Sequence, residues 1–175
     1  MPPQDARQPK LWYYHFRQNL MTELMTIEIV NNNEGGHNDL LFSIPALIET
    51  KKFDTYYFGI AIEQSETIDT VKKAVSHLLQ YWIDKLFESR NGETIFLPID
   101  FSDQYTGCLK VQNQAEKFIL QYGISRCEGC SIDPLNPENY YKEIDDFEAQ
   151  NKKQLEVDQP VFILTIENQI QNLVS

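Results

Sequence analysis

Between Thr67 and Ser89 the chain carries one apolar stripe at helical spacing, made of Ile68, Val71, Val75, Leu78, Trp82 and Leu86. Residues three and four apart share a helix face, so this stretch predicts a long amphipathic helix over about 67–89. Lys72, Lys73, Ser76, Gln80, Asp84 and Glu88 fall mostly off the stripe and face water. Ser65 or Thr67 can cap its start, Glu66 and Asp69 suit the positive end of the helix dipole, and Asn91-Gly92 supplies a left-handed residue to end it. The apolar segments on either side are short and strand-like. A chain of 175 residues with one such helix therefore predicts a single α+β domain, a mainly antiparallel sheet packed by this helix and by a C-terminal helix over about 160–173.

The strands follow from alternation. Leu24 to Val30 sets Met25, Ile27 and Ile29 against Thr26, Glu28 and Val30, a polar loop over 31–39 follows, and Leu40 to Ile44 returns as its partner. Pro45 opens a short helical turn over Ala46 to Thr50, and Tyr56 to Glu63 reads as a third strand. Glu93 to Phe101 and Tyr105 to Gln112 form a hairpin across Ser102-Asp103-Gln104. Phe118 to Tyr122 and Ile124 to Ile132 supply one or two more strands, separated near Gly123, for five to seven in all. Asp158-Gln159-Pro160 starts the final helix, with Phe162, Ile166, Ile170 and Leu173 on one face, although Val161 to Ile166 also suits a strand. Residues 1–22 form an N-terminal extension to the 23–175 domain, with Pro2, Pro3 and Pro9 before the aromatic cluster Trp12, Tyr13, Tyr14 and Phe16. These rings are expected to dock on the domain itself, and Met21 or Met25 would serve equally as a start.

Charge narrows the function classes. The net charge of -11 divides into -4 over residues 1–66, zero over 67–126 and -7 over 127–175. Clustered Lys and Arg, which nucleic-acid backbones and anionic membranes require, are lacking, so neither is an expected partner. An acidic face steers instead toward a basic protein partner. No apolar run approaches the roughly 18 residues of a spanning helix, and no basic-then-apolar leader opens the chain, so the cytoplasm is the expected location. Three cysteines, an odd number, do not suggest a disulfide framework.

Four candidate sites emerge. Cys127-Glu128-Gly129-Cys130 is half a zinc site at most, and within strand-like sequence its two thiols would point to opposite faces, so two structural cysteines are expected. Asp100 and Asp103, with Tyr105 and Glu93 nearby, suit a carboxylate pair, although Ser102 and Asp103 also form turns through side-chain bonds to the backbone. His37 follows Gly35-Gly36 in a hairpin loop that needs no catalytic explanation. The acidic excursion over 133–158 mixes tyrosines with carboxylates. There Asp133, Glu138, Tyr140, Tyr141, Glu143, Asp145, Asp146 and Glu148 are the candidate partner-binding residues, since Tyr gives contact area at low entropic cost and carboxylates pair with Arg. No cofactor or metal is expected.

The stretch Glu93 to Gly107, centred on Asp100-Phe101-Ser102-Asp103-Gln104-Tyr105-Thr106-Gly107, resembles one found in small, functionally uncharacterised bacterial proteins, with a similar layout over Leu24 to Ile132. The whole profile, one compact acidic α+β domain without an enzyme signature, is similar to immunity proteins of bacterial toxin–immunity systems. That resemblance implies a non-enzymatic protein that neutralises a toxin by occluding its basic active-site surface, with carboxylates standing in for phosphates if the toxin is a nuclease. Two other classes remain open. One is a small hydrolase or metal-dependent enzyme using Asp100, Asp103 and His37, which requires those side chains to converge in a pocket. The other is a structural adaptor that docks through the aromatic extension.

Overall fold

The computed structural model describes residues 24–31, 37–62, 67–138 and 140–175, without the side chains of Lys142 and Glu143. The N-terminal extension with its aromatic cluster, Gly35-Gly36 and the capping candidate Ser65 lie outside the described residues. Three strands come first, β1 (Thr26–Asn31), β2 (Asn38–Ile44) and β3 (Ile48–Asp54), paired in the order β1-β2-β3. Helices α1 (Tyr56–Ile62) and α2 (Ile68–Glu88) follow. A second sheet holds β4 (Thr94–Phe101), β5 (Thr106–Gln114), β6 (Lys117–Ser125) and β7 (Glu148–Ala149) in that order, with β8 (Leu155–Asp158) also on β6. Between β6 and β7 lie a 3₁₀ turn, Gly129–Ser131, and the single-turn helix α3 (Tyr140–Glu143); α4 (Gln159–Val174) closes the chain. Every described strand pair is antiparallel. The fold is a single α+β domain, and the one sheet expected from the sequence is two.

The predicted stripe is the core face of α2: Val71, Val75, Leu78, Trp82 and Leu86 are buried. Thr67 caps the helix reciprocally with Thr70, its Oγ1 accepting from the Thr70 N–H at 3.2 Å while Thr70 Oγ1 accepts from the Thr67 N–H at 2.8 Å. The C-terminus departs from expectation. Ser89, in extended conformation, ends the helix, and the Asn113 side chain donates to its carbonyl at 3.0 Å. Gly92, at φ 84°, instead forms the turn into β4 and donates its N–H to the Asn113 carbonyl at 2.8 Å.

Three further segments differ from their sequence reading. Tyr56 to Ile62 is helical because the Asp54 carboxylate accepts the Tyr56 N–H at 2.7 Å, occupying a donor left over at the helix start. Its Phe58 then points inward against the Phe101 ring, 5.4 Å between centroids, while Tyr56 and Ile60, four apart, face out. The helical turn expected over Ala46 to Thr50 is a tight turn, with the Leu47 N–H on the Ile44 carbonyl at 2.7 Å, that leads straight into β3. Gly123 does not divide a strand pair. β6 runs through it and stops at Ser125, and a Cβ there would come within 2.5 Å of the Phe147 ring, which crosses at that point. The stretch Val161 to Ile166 resolves as helix, with Phe162, Ile166 and Leu173 buried and Ile170 packed against them.

One buried polar side chain ties the two ends of the described chain together. Gln169 of α4 donates to the Met25 carbonyl and accepts from the Ile27 N–H, both at 3.0 Å. Gln169→Ala strands both backbone groups and is expected to cost about 2–4 kcal/mol. A urea titration reads this as a lowered midpoint, against a change within about 0.5 kcal/mol for Glu167→Ala on the exposed face.

Candidate functional site

The site begins with a slip in a strand ladder. β4 is the edge of its sheet, so Pro98, which has no N–H to give, costs the ladder nothing. Pro98 pairs with Cys108 but Asp100 pairs with Gly107, so β4 carries one residue too many and bulges. The Trp82 indole N–H takes the Pro98 carbonyl at 3.0 Å. Beyond the bulge, Asp100 is only 6% exposed and borders a recess of about 860 Å³. Its cross-strand neighbour must be glycine, since a Cβ at Gly107 would lie 2.6 Å from the Tyr122 hydroxyl and 2.8 Å from Asp100 Cβ.

Burial drives the electrostatics here. It pushes the Asp100 carboxyl up to about 6, against the opposing pull of a hydrogen bond from Tyr105 and the charge of Lys51. Tyr105 is raised in turn, first by burial and then by Asp100. Burial lowers Lys51, with Asp100 working the other way; its ammonium donates to Gln150 and lies 4.9 Å over the Tyr122 ring. Lys52 is paired with Asp39 at 2.9 Å. At the mouth, the Tyr57 hydroxyl donates to the Asp103 carboxylate, which raises the phenol to about 12. His37 stands edge-on to the Tyr56 ring at 5.1 Å. Tyr122 is fully buried, and its hydroxyl has no hydrogen-bond partner among the described residues.

The structure therefore brings His37, Asp100 and Asp103 to one recess. Turn chemistry at Ser102 and Asp103 is present as well, with the Ser102 N–H on the Tyr105 carbonyl at 3.0 Å. Sequence reasoning missed Lys51, Tyr56, Tyr57, Gly107 and Tyr122. Asp54-Thr55 ahead of the aromatic run was the available signal for α1, since both residue types are favoured at helix starts. Among the described residues, no three His, Cys, Asp or Glu side chains come together as metal donors.

The acidic excursion is tied to the domain at several points. Tyr140 is buried, its hydroxyl 2.9 Å from Ser125 Oγ, so it anchors the segment from within. Glu138 pairs with the buried Lys85 at 3.2 Å, and Lys85 lies 4.5 Å over the Tyr141 ring. Asp133 accepts the Leu135 N–H at 2.9 Å and Asp146 the Arg126 N–H at 2.8 Å. Asp133, Asp145, Asp146 and Glu148 are exposed, Glu148 on β7; Glu143 belongs to α3, its side chain outside the described set. Cys127 and Cys130 also depart from expectation: neither is in a strand. Cys127 sits half-buried in the loop after β6, Cys130 is exposed in the 3₁₀ turn, and both thiols are free.

These parts share a face. A groove of about 560 Å³ is bordered by Arg126, Asp133, Asp145 and Asp146. A third hollow, bordered by Tyr57, Ile60, Cys130 and Asp133, has lining residues in common with each of the other two.

No protein-family model matches the sequence, and neither does any curated protein. Among solved structures, the chain is similar to one in the CdiA-CT/CdiI toxin and immunity complex from Enterobacter cloacae, with 13% sequence identity and a TM-score of 0.44 over 85% of this chain and 96% of that one.

Asp100 has a measurable signature. Its folded-state carboxyl, near 6, lies above the usual 3.8, so the folded protein holds this proton more tightly than the unfolded chain. The contribution to stability is complete below about pH 4, is lost as pH rises to about 6, and is constant above. Asp100→Asn is expected to stabilise the protein by about 2–3 kcal/mol at pH 7.5, with the gain vanishing near pH 4, in denaturant titrations at both pH values.

Proposed function

We propose that this chain is an immunity protein, a non-enzymatic cytosolic binder that neutralises a bacterial toxin by covering its basic active-site surface. The observation that supports the reading is the composition of the face around α1. Tyr56 and Ile60 are large, 44% and 55% exposed among the described residues, and lie on one side of α1. The exposed carboxylates of Asp54 and Asp103 border the same recess, and Asp133 borders the hollow beside Ile60. Aromatic and aliphatic anchors ringed by charge are the usual layout of a protein-binding hot spot. The carboxylates would meet Lys and Arg of the toxin, standing in for substrate phosphates if it is a nuclease. Tyr140 contributes by holding the rim, and Asp133, Asp145, Asp146 and Glu148 by contact.

The convergence of Asp100, Asp103 and His37 favours a second reading, a small hydrolase. Against it, Asp103 is already held by the Tyr57 hydroxyl and Asp100 by Tyr105. Stoichiometry separates the two readings. A binder protects in a one-to-one ratio with the toxin, whereas an enzyme acts substoichiometrically and with a pH profile that breaks near the Asp100 value.

The test is co-expression with candidate toxin domains found among the neighbouring genes: growth should resume when both are made and stop when the toxin is made alone. Absence of protection overturns the reading. With the purified pair, Tyr56→Ala/Ile60→Ala is expected to weaken binding by about 100-fold, chiefly through faster dissociation. Asp54→Asn/Asp133→Asn/Asp145→Asn should instead slow association at low salt and flatten its salt dependence, as read by stopped-flow fluorescence.

A further inference from the structure

We infer that the Asp100 recess is the receptor for a single arginine side chain of the protein partner, with the Asp100 carboxylate as the terminal ligand of its guanidinium. The inference deepens the proposed function and rests on it for the identity of the partner, but the recess can be tested by itself.

Several features of the chain are committed to this one carboxylate. The bulge after Pro98 aims it, Gly107 makes room for it, and Tyr105 supplies its hydrogen bond. Asp100 borders the recess although it is only 6% exposed, so a donor seated there would meet an acceptor already largely stripped of water. The cations of the recess itself are already engaged, Lys52 with Asp39, and Lys51 with Gln150 and the Tyr122 ring. Three carboxylates, Asp54, Asp100 and Asp103, border the recess, so an added positive charge is matched.

Shape selects guanidinium over ammonium. The rings of Tyr56 and Tyr57 both border the recess, packed edge to face with centroids 5.2 Å apart and planes at 75°, and His37 stands against Tyr56. A planar, weakly hydrated guanidinium stacks on such a face and gives two parallel N–H bonds to a carboxylate, which a compact ammonium cannot do. The groups facing Asp100 are Lys51 from β3, Tyr105 from the turn before β5 and Tyr122 from β6. Asp100, near 6, loses its proton between pH 5 and 7.5, while burial holds the Tyr105 and Tyr122 hydroxyls protonated; His37, Asp54 and Asp103 border the same recess. Guest binding should therefore follow ionisation of Asp100.

The experiment is an NMR titration of the full chain with Nα-acetyl-arginine methylamide, following the Asp100 carboxyl carbon and the Tyr57 and Tyr105 ring signals. Saturable shifts are expected at pH 7.5, with affinity roughly tenfold weaker at pH 5, and loss of binding in Asp100→Asn. The citrulline analogue should not bind, and the lysine analogue should bind several-fold more weakly. Equal binding of citrulline, equal binding of lysine, retention in Asp100→Asn, or displacement by inorganic phosphate acting through Lys51 and Lys52 would each overturn the assignment. If the arginine probe binds but co-expression gives no protection, the recess stands and the immunity reading falls. If the chain protects fully as Asp100→Asn and the probe does not bind, the recess falls and the immunity reading stands.

Discussion

The slip of the β4–β5 ladder between Pro98 and Asp100 is the constraint on which the rest of the structure depends. The bulge leaves Ile99 without a cross-strand partner, and just before it the Trp82 indole reaches from the longest helix to the Pro98 carbonyl. One bond therefore fixes both how α2 sits on the second sheet and how the end of β4 is aimed. Past the bulge, Asp100 is turned to the recess and Phe101 is turned to Phe58 of α1. The helix that walls the recess and the carboxylate at its floor are thus set by adjacent residues of the same strand.

The recess lies where the two sheets meet, and its chemistry follows from that position. Phe42 of β2 touches the aromatic rings of Phe53 on β3, Trp82 on α2 and Tyr122 on β6, at centroid distances of 6.2, 6.4 and 6.5 Å. That cluster closes the seam below with apolar surface, so the groups just above it, Asp100 and Lys51, lose water on one side and keep it on the other. Both are shifted by burial, in the directions that disfavour their charged forms, and each partly rescues the other. Two opposite charges so placed contribute little to stability.

The sequence exposed the architecture where periodicity was strong. The stripe on α2, the alternation in β1 and the buried face of α4 each commit several residues to one side, and a pattern of that length leaves little choice. Tyr56 to Ile62 escaped because seven residues rich in rings and branched chains satisfy either period, and the decision rests on one Asp54 bond and one Phe58 contact. The same miss hid half of the site, since α1 supplies Tyr56, Tyr57 and Ile60. Asp100 and Asp103 were legible as residues but not as a site, because their convergence with His37 depends on how separate sheets pack. The excursion was legible as acidic but not as anchored: Tyr140, Glu138 and Phe147 find partners more than ten residues away in sequence, and composition carries no trace of those partners.

Charge and apolar contact have separate tasks on this face. Carboxylates at the rim, Asp133, Asp145 and Asp146, stay exposed, where salt screens them and where they act over distances comparable to a Debye length. They bear on how fast a basic partner arrives. Tyr56 and Ile60 act only in contact, so they bear on how long it stays. Asp100 belongs to neither group. A buried carboxylate cannot be felt from a distance, and it gives nothing until a donor is seated against it and water is gone. Under the proposed function, such a face would attract many basic surfaces and retain those that place a donor in the recess, which is discrimination by geometry added to attraction by charge.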